Sequence, residues 1–222
     1  LSTEVKPSKP SKPVHPVVAY LIIIAFTATM FVIGVIIGKA FFWENYDTTP
    51  IADRIIEVAK QKVAQDPKNP KNYVDLGWGY FKKKDYNNAL AQYKKAIDLD
   101  KKYYPAYLNL GILYIETGKY DLAVNTLKQA VALQPKSSNA HLNLGIAYNK
   151  LGKYNEALKE LKQAYDLAPG STQIIYEIGV AYEKMGKIEE AKYQYQSALE
   201  FDPKFEDAKK ALERLNKSKG GK

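Results

Sequence analysis

The chain of 222 residues has no cysteine, two histidines, two tryptophans and only two arginines, Arg54 and Arg214. The missing thiols exclude disulfides, thiolate metal sites and a cysteine nucleophile, and leave the redox compartment open. Neither His15 nor His141 has a second histidine or a cysteine in its neighbourhood, so no metal ligand set is assembled and no metal or cofactor is assigned. Glycines never form a Gly-x-Gly-x-x-Gly turn after a strand, and acids such as Glu116 and Glu183 are scattered over helix surfaces. An enzyme would need a nucleophile, an acid-base pair, a metal cluster or a phosphate cradle. No catalytic residue follows from the sequence. The formal charge is +9 and the pI about 9.3, but the excess is lysine, and it alternates with carboxylates. Without arginine to fork onto bases and phosphates, that pattern reads as a solvated helix surface with a mild attraction to acidic partners or anionic lipid, and nucleic acid is not an expected partner.

Residues 1–16 form a Lys/Pro-rich tail, with Lys6, Pro7, Lys9, Pro10, Lys12, Pro13 and Pro16 separated mainly by serine. Such a segment buries no core and favours extended or disordered chain. Residues 17–38 then hold no charge over 22 positions. At about 1.5 Å per residue, a helix of this length crosses a hydrocarbon core of roughly 30 Å. Tyr20 marks one end, and Phe41, Phe42, Trp43 and Tyr46 in the aromatic linker 39–50 mark the other, as an interfacial belt would. A cleaved signal peptide suits the run less well, because the run is too long and Lys39 interrupts the small-residue cleavage candidate Gly38-Lys39-Ala40. The expectation is a single-pass helix in cell-membrane lipid. Lys6, Lys9 and Lys12 before the span, against Lys39 after it, place the N-terminus in the cytoplasm and the rest of the chain on the outer side.

What is abundant beyond residue 70 is repetition. Gly77, Gly111, Gly145 and Gly179 are spaced 34 residues apart (111 − 77, 145 − 111, 179 − 145). Tyr80, Tyr114, Tyr148 and Tyr182 step in phase, as do Ala89, Ala123, Ala157, Ala191 and Ala96, Ala130, Ala164, Ala198. Pro135, Pro169 and Pro203 close successive units, with Lys101 in the equivalent place of the first. Turn glycines Gly118, Gly152 and Gly186 divide each unit, and Lys84 replaces the first of them. This set of residues at this period resembles the tetratricopeptide repeat (TPR) family. The resemblance implies an all-α helical solenoid of four helix-turn-helix repeats, 70–103, 104–137, 138–171 and 172–205. Before them, residues 51–67 predict an N-terminal capping helix with Ile51, Ile55, Val58, Ala59 and Val63 as its apolar stripe, capped by threonine with Pro50 at its first position. It looks like the second helix of a repeat that lacks its first. After them, residues 206–217 predict an amphipathic C-terminal capping helix, and 218–222 a flexible end. His141 stands at the fourth position of its repeat, where the family has a packing aromatic, as do Tyr73 and Tyr107.

By the same resemblance, the first helices of successive repeats line a concave groove that receives a protein or peptide. The implied binding residues are Val74, Leu108, Leu142 and Tyr176 at the fifth position of each repeat, Trp78, Ile112 and Ile146 at the ninth, and Phe81 and Ile115 at the twelfth. Asn109 and Asn143, at the sixth, stand where relatives hydrogen-bond a ligand backbone. Val74 and Glu177 replace the cations that relatives use to clamp a C-terminal carboxylate, so the resemblance favours an apolar strand or amphipathic helix as ligand. The function that emerges is a non-catalytic, membrane-anchored scaffold. The alternative is a self-assembling subunit, a homo-oligomer or extracellular filament built from hydrophobic N-terminal helices and stacked solenoids.

Overall fold

The computed structural model describes residues 50–219, together with Tyr20, residues 24–27 and residues 29–30. The chain divides into two units, Leu1–Thr49 and Pro50–Lys222. In the first, residues 24–27 and 29–30 are helical, and Ile24, Phe26 and Met30 are exposed. The Thr27 hydroxyl donates to the Ile24 carbonyl at 2.9 Å and the Thr29 hydroxyl to the Phe26 carbonyl at 2.8 Å, so neither polar group is left unpaired. Among the described residues no helix is long and apolar enough to cross a membrane. Most of the expected 17–38 span, with the tail 1–16 and the linker up to residue 49, lies outside the described residues.

The second unit is all-α, and its described residues form ten helices. The cap α1 (Ile51–Gln65) is followed by four hairpins: α2 (Pro70–Lys82) with α3 (Tyr86–Leu99), α4 (Tyr104–Glu116) with α5 (Tyr120–Leu133), α6 (Ser138–Lys150) with α7 (Tyr154–Leu167), and α8 (Thr172–Lys184) with α9 (Ile188–Phe201). The last helix is α10 (Glu206–Lys219). Several helix starts carry capping side chains. Asn69 accepts from the Lys71 amide, Asp85 from the Asn88 amide and Ser137 from the Ala140 amide. The start of α1 is different from expectation. Pro50 itself occupies the N-cap, and its hydrocarbon ring has no acceptor to form a side-chain cap; its carbonyl accepts from the Asp53 and Arg54 amides. α1 also ends at Gln65, not at residue 67, and α10 runs to Lys219, past the expected 217.

Each hairpin closes on one steric fit. A Cβ added to Gly77 would lie 2.6 Å from the Tyr93 ring, one on Gly111 2.4 Å from Leu127, one on Gly145 2.6 Å from Leu161 and one on Gly179 2.6 Å from Tyr195. The large partners are fully buried. Burial of each is worth on the order of 1.5–3 kcal/mol. Around them the phased alanines, all buried, let helices of adjacent repeats approach. Gly79 does the same for the cap, since a Cβ there would meet Ile56 at 2.8 Å.

The fourth position of the repeat is more than packing. The Tyr73 hydroxyl donates to the Pro67 carbonyl and the Tyr107 hydroxyl to the Lys101 carbonyl, both at 3.0 Å and both six residues back. His141 repeats the arrangement, with Nε2 3.0 Å from the Pro135 carbonyl oxygen and Nδ1 2.7 Å from Glu160. These side chains tie the first helix of each repeat to the loop that enters it. Ile175 has no polar atom for the task and is instead buried.

The turns inside the hairpins require left-handed backbone: φ is +72° at Gly118, +75° at Gly152 and +76° at Gly186. Lys84 holds φ +62° in the first turn, where a Cβ is crowded against the following carbonyl. Lys84→Gly should therefore stabilise the solenoid by about 1 kcal/mol, seen as a rise of roughly 2–4 °C in the melting temperature by circular dichroism. An unchanged or lower midpoint would show that the Lys84 backbone carries no strain.

Candidate functional site

The first helices α2, α4, α6 and α8 touch one another across successive repeats, while the second helices make no comparably extensive layer. First helices therefore lie on the inner side of the curve, and their outward-turned residues form one continuous surface. Of the residues the sequence assigned to it, Trp78 is 38% exposed, and Ile112 and Ile146 are half-buried. These ninth-position side chains give the groove its apolar floor. Trp78 is fixed by stacking on Phe81, with centroids 5.5 Å apart and planes 11° from parallel, and Lys82 Nζ lies 5.0 Å from its ring centroid.

The fifth- and twelfth-position side chains assigned to the groove also pack on the core. Val74 is 8% exposed and belongs to the main core, so it offers a ligand no surface. Leu108, Leu142, Phe81 and Ile115 are half-buried against that same core. Tyr176 joins the C-terminal core, with the rings of Tyr195 at 5.4 Å and Phe205 at 5.5 Å, and burial raises its phenol pKa. The physical reason is space: closing a hairpin on a glycine brings the fifth-position side chain inside the closed hairpin.

The sixth position supplies the polar row: Asp75, Asn109, Asn143 and Glu177, one per repeat. Asp75 is already neutralised, 2.6 Å from Lys71 Nζ and 3.9 Å from Lys62 Nζ. Asn109 donates its Nδ2 to the Pro105 carbonyl at 2.8 Å, and Asn143 donates to the Asn139 carbonyl at 2.7 Å, each within its own helix. Each of these amides keeps a carbonyl oxygen, an acceptor, and a second N–H. Glu177 takes 3.2 Å and 3.3 Å hydrogen bonds from Gln173 and Asn149. Asn149 also donates to the Glu177 backbone carbonyl at 3.1 Å, while its own Oδ1 is buried without a partner. Burial pushes the Glu177 carboxyl above the ordinary range. The Asn149 and Gln173 hydrogen bonds and the nearby Lys150 oppose the shift, and Asp207 adds to it. Glu183, at the twelfth position of the same helix, is spent on structure: Arg214 of α10 grips both its oxygens at 2.7 Å and the Tyr195 hydroxyl donates to it at 2.7 Å.

At the other end of the row a cleft of about 500 Å³ opens between α1 and α2, lined chiefly by Ile51, Ile55, Val58, Ala59 and Trp78. Ile51 and Val58 are exposed. Residue 52 stands 34 before Tyr86, so α1 is in register with the second helices, and the cleft is the place a first helix of its own repeat would fill. The stripe on α1 was visible in the sequence; the cleft was not, because it depends on how closely Gly79 lets α1 settle. Glu177, Gln173 and Asn149 were passed over as site residues, although Glu177 shares the register of Asn109 and Asn143, which was the signal that could have found it.

Family models described as tetratricopeptide repeat match residues 108–172 and 148–215, and a TPR repeat model matches 79–118. Among solved structures, that of MamA is 27% identical, covers 70% of this chain and 96% of its own, and has a TM-score of 0.60. TTC0263, a thermophilic TPR protein of Thermus thermophilus, is 25% identical over 74% of this chain and 90% of its own, with a TM-score of 0.65. YrrB, described as a TPR protein with an unusual peptide-binding site, shares the fold at 22% identity, over 73% of this chain and 84% of its own, with a TM-score of 0.62. No curated protein matches the sequence.

Because folding raises the Glu177 pKa above its unfolded value near 4.5, the stability it contributes when protonated is present below that value and lost as pH rises through the raised one. The melting temperature of Glu177→Gln relative to the parent should therefore be highest at pH 7 and fall as the pH falls towards 4.5. Thermal denaturation across that interval measures the difference; a difference that is constant with pH would mean that desolvation of the carboxylate is not its source.

Proposed function

Residues 79–215 of this chain are tetratricopeptide repeats, and on that premise we propose that it is a non-catalytic scaffold that holds a partner protein in the concave groove of its solenoid. The observation that carries this reading is the continuous inner layer of first helices, on which Trp78, Ile112 and Ile146 stay accessible while the polar row beside them keeps unfilled acceptors. A solvent-facing apolar strip bordered by polar groups is the form that a protein-docking surface takes.

The scaffold is tethered in this proposal. The uncharged run 17–38 is long enough to span a bilayer and is surrounded there by lipid, with Lys6, Lys9 and Lys12 on the cytoplasmic side and the repeats on the outer side. Head-to-tail stacking into a filament is the less favoured arrangement. α10 is in register with the first helices, and at the position where each complete repeat carries glycine against a large side chain it carries Glu213, which is exposed. A second helix from another copy would have to bury that charge.

Replacement of Trp78, Ile112 and Ile146 together by serine tests the groove. Affinity capture from the source membrane should lose the partner by about tenfold or more, with far-ultraviolet circular dichroism unchanged. Capture that persists on an intact solenoid would place the partner elsewhere. Protease treatment of intact and of opened cells bearing the full chain tests the orientation: the repeats should be cut in intact cells, and protection until opening would reverse the proposed sidedness.

A further inference from the structure

The groove reading leaves the chemistry of the partner open, and the polar row supplies it. We infer that the C-terminal half of the groove recognises a lysine-bearing extended segment of the partner protein, with its ammonium group seated on Glu177. The inference rests on the groove being the docking surface. Three observations carry it. The Asn109 and Asn143 amides each place one N–H on a carbonyl of their own helix, and each has a carbonyl oxygen that can accept from a ligand. Glu177 continues this row one repeat further on, half-buried, held by the neutral donors Gln173 and Asn149, and takes no part in the described ion pairs, unlike Asp75 and Glu183. Beside it Asn149, 8% exposed, keeps a buried Oδ1 with no partner. A row of acceptors one repeat apart, ending in a desolvated carboxylate and an orphaned carbonyl, complements a chain that supplies donors and one cation. Such a site rejects a carboxylate-terminated peptide, since an anion beside Glu177 would meet like charge in a half-buried place.

The carboxylate is also kept charged against its surroundings. An arriving ammonium group holds Glu177 ionised, so binding weakens as the pH falls into the range where Glu177 takes up a proton, in the presence of Lys150, Asp207, Tyr176, Glu183 and Arg214, which act on it or beside it.

The test uses the full chain in detergent with two probes: fluorescein-labelled acetyl-pentalysine amide, and the same peptide with every side chain Nε-acetylated. The protein carries a formal charge of +9, so general electrostatics oppose pentalysine and any binding is local. Saturable anisotropy binding of pentalysine is expected, weakened about tenfold by Glu177→Gln and by Nε-acetylation, and unchanged by Asp121→Asn on the far helix layer. Equal weakening by Asp121→Asn, insensitivity to Glu177→Gln, or no binding by the parent chain would each overturn the inference. Thermal melting of Glu177→Gln separates lost binding from lost fold. Partner capture separates the two readings: loss with the triple serine variant but not with Glu177→Gln sinks the cation seat alone, whereas insensitivity to both sinks the groove as well.

Discussion

One steric constraint governs the repeat domain: in every hairpin the first helix presents a glycine face to a single large side chain of the second. Gly77 with Tyr93, Gly111 with Leu127, Gly145 with Leu161 and Gly179 with Tyr195 leave no room for a Cβ. Once this distance is set, the alanines at Ala89, Ala123, Ala157 and Ala191 fall into full burial, and the next hairpin can lie against the last. The same closure draws Val74 and its fifth-position counterparts towards the core. The surface left for a partner is therefore a narrow strip at the ninth position with a polar row at the sixth.

Along that strip the repeats are alike in backbone and unlike in charge. At the N-terminal end Asp75 is neutralised by lysine and Trp78 dominates, beside the cleft between α1 and α2. In the middle, two asparagines show their oxygens. Towards the C-terminus the acids divide their labour: Glu183 fastens α10 through Arg214, and Glu177 stays out of the described ion pairs. In the proposed groove a partner would meet an apolar end and an acceptor-rich end, a polarity that would give a bound segment a direction.

Much of the architecture was legible from spacing. The glycine, tyrosine and alanine series at 34 residues pointed to an all-α solenoid, and the described residues form helix pairs in that order. The caps Asn69, Asp85 and Ser137 emerged only in the structure, where their short polar side chains reach the first free amides. Lys84 was noticed as a missing turn glycine, and its φ of +62° shows that the backbone kept the turn and forced lysine into it. The groove was less legible. A family pattern says which helix face is inward, but it does not say that Asn109 and Asn143 each place an N–H on their own helix or that Tyr107 and His141 reach back to a loop.

What the sequence determined by itself was the period, and with it the helices, their pairing and their order, because glycine, alanine and proline act on the chain locally and at fixed intervals. The uncharged run 17–38 is likewise a property of sequence alone. What only the tertiary structure decided was which side chains remain available. Val74 and Trp78 differ by four positions on one helix, yet one is core and the other is 38% exposed. Glu183 and Glu177 are two acids on one helix, yet one is paired by Arg214 of a helix that begins more than twenty residues later, and the other is held by neutral amides. Burial and pairing are sums over neighbours distant in sequence, and spacing along the chain does not contain them.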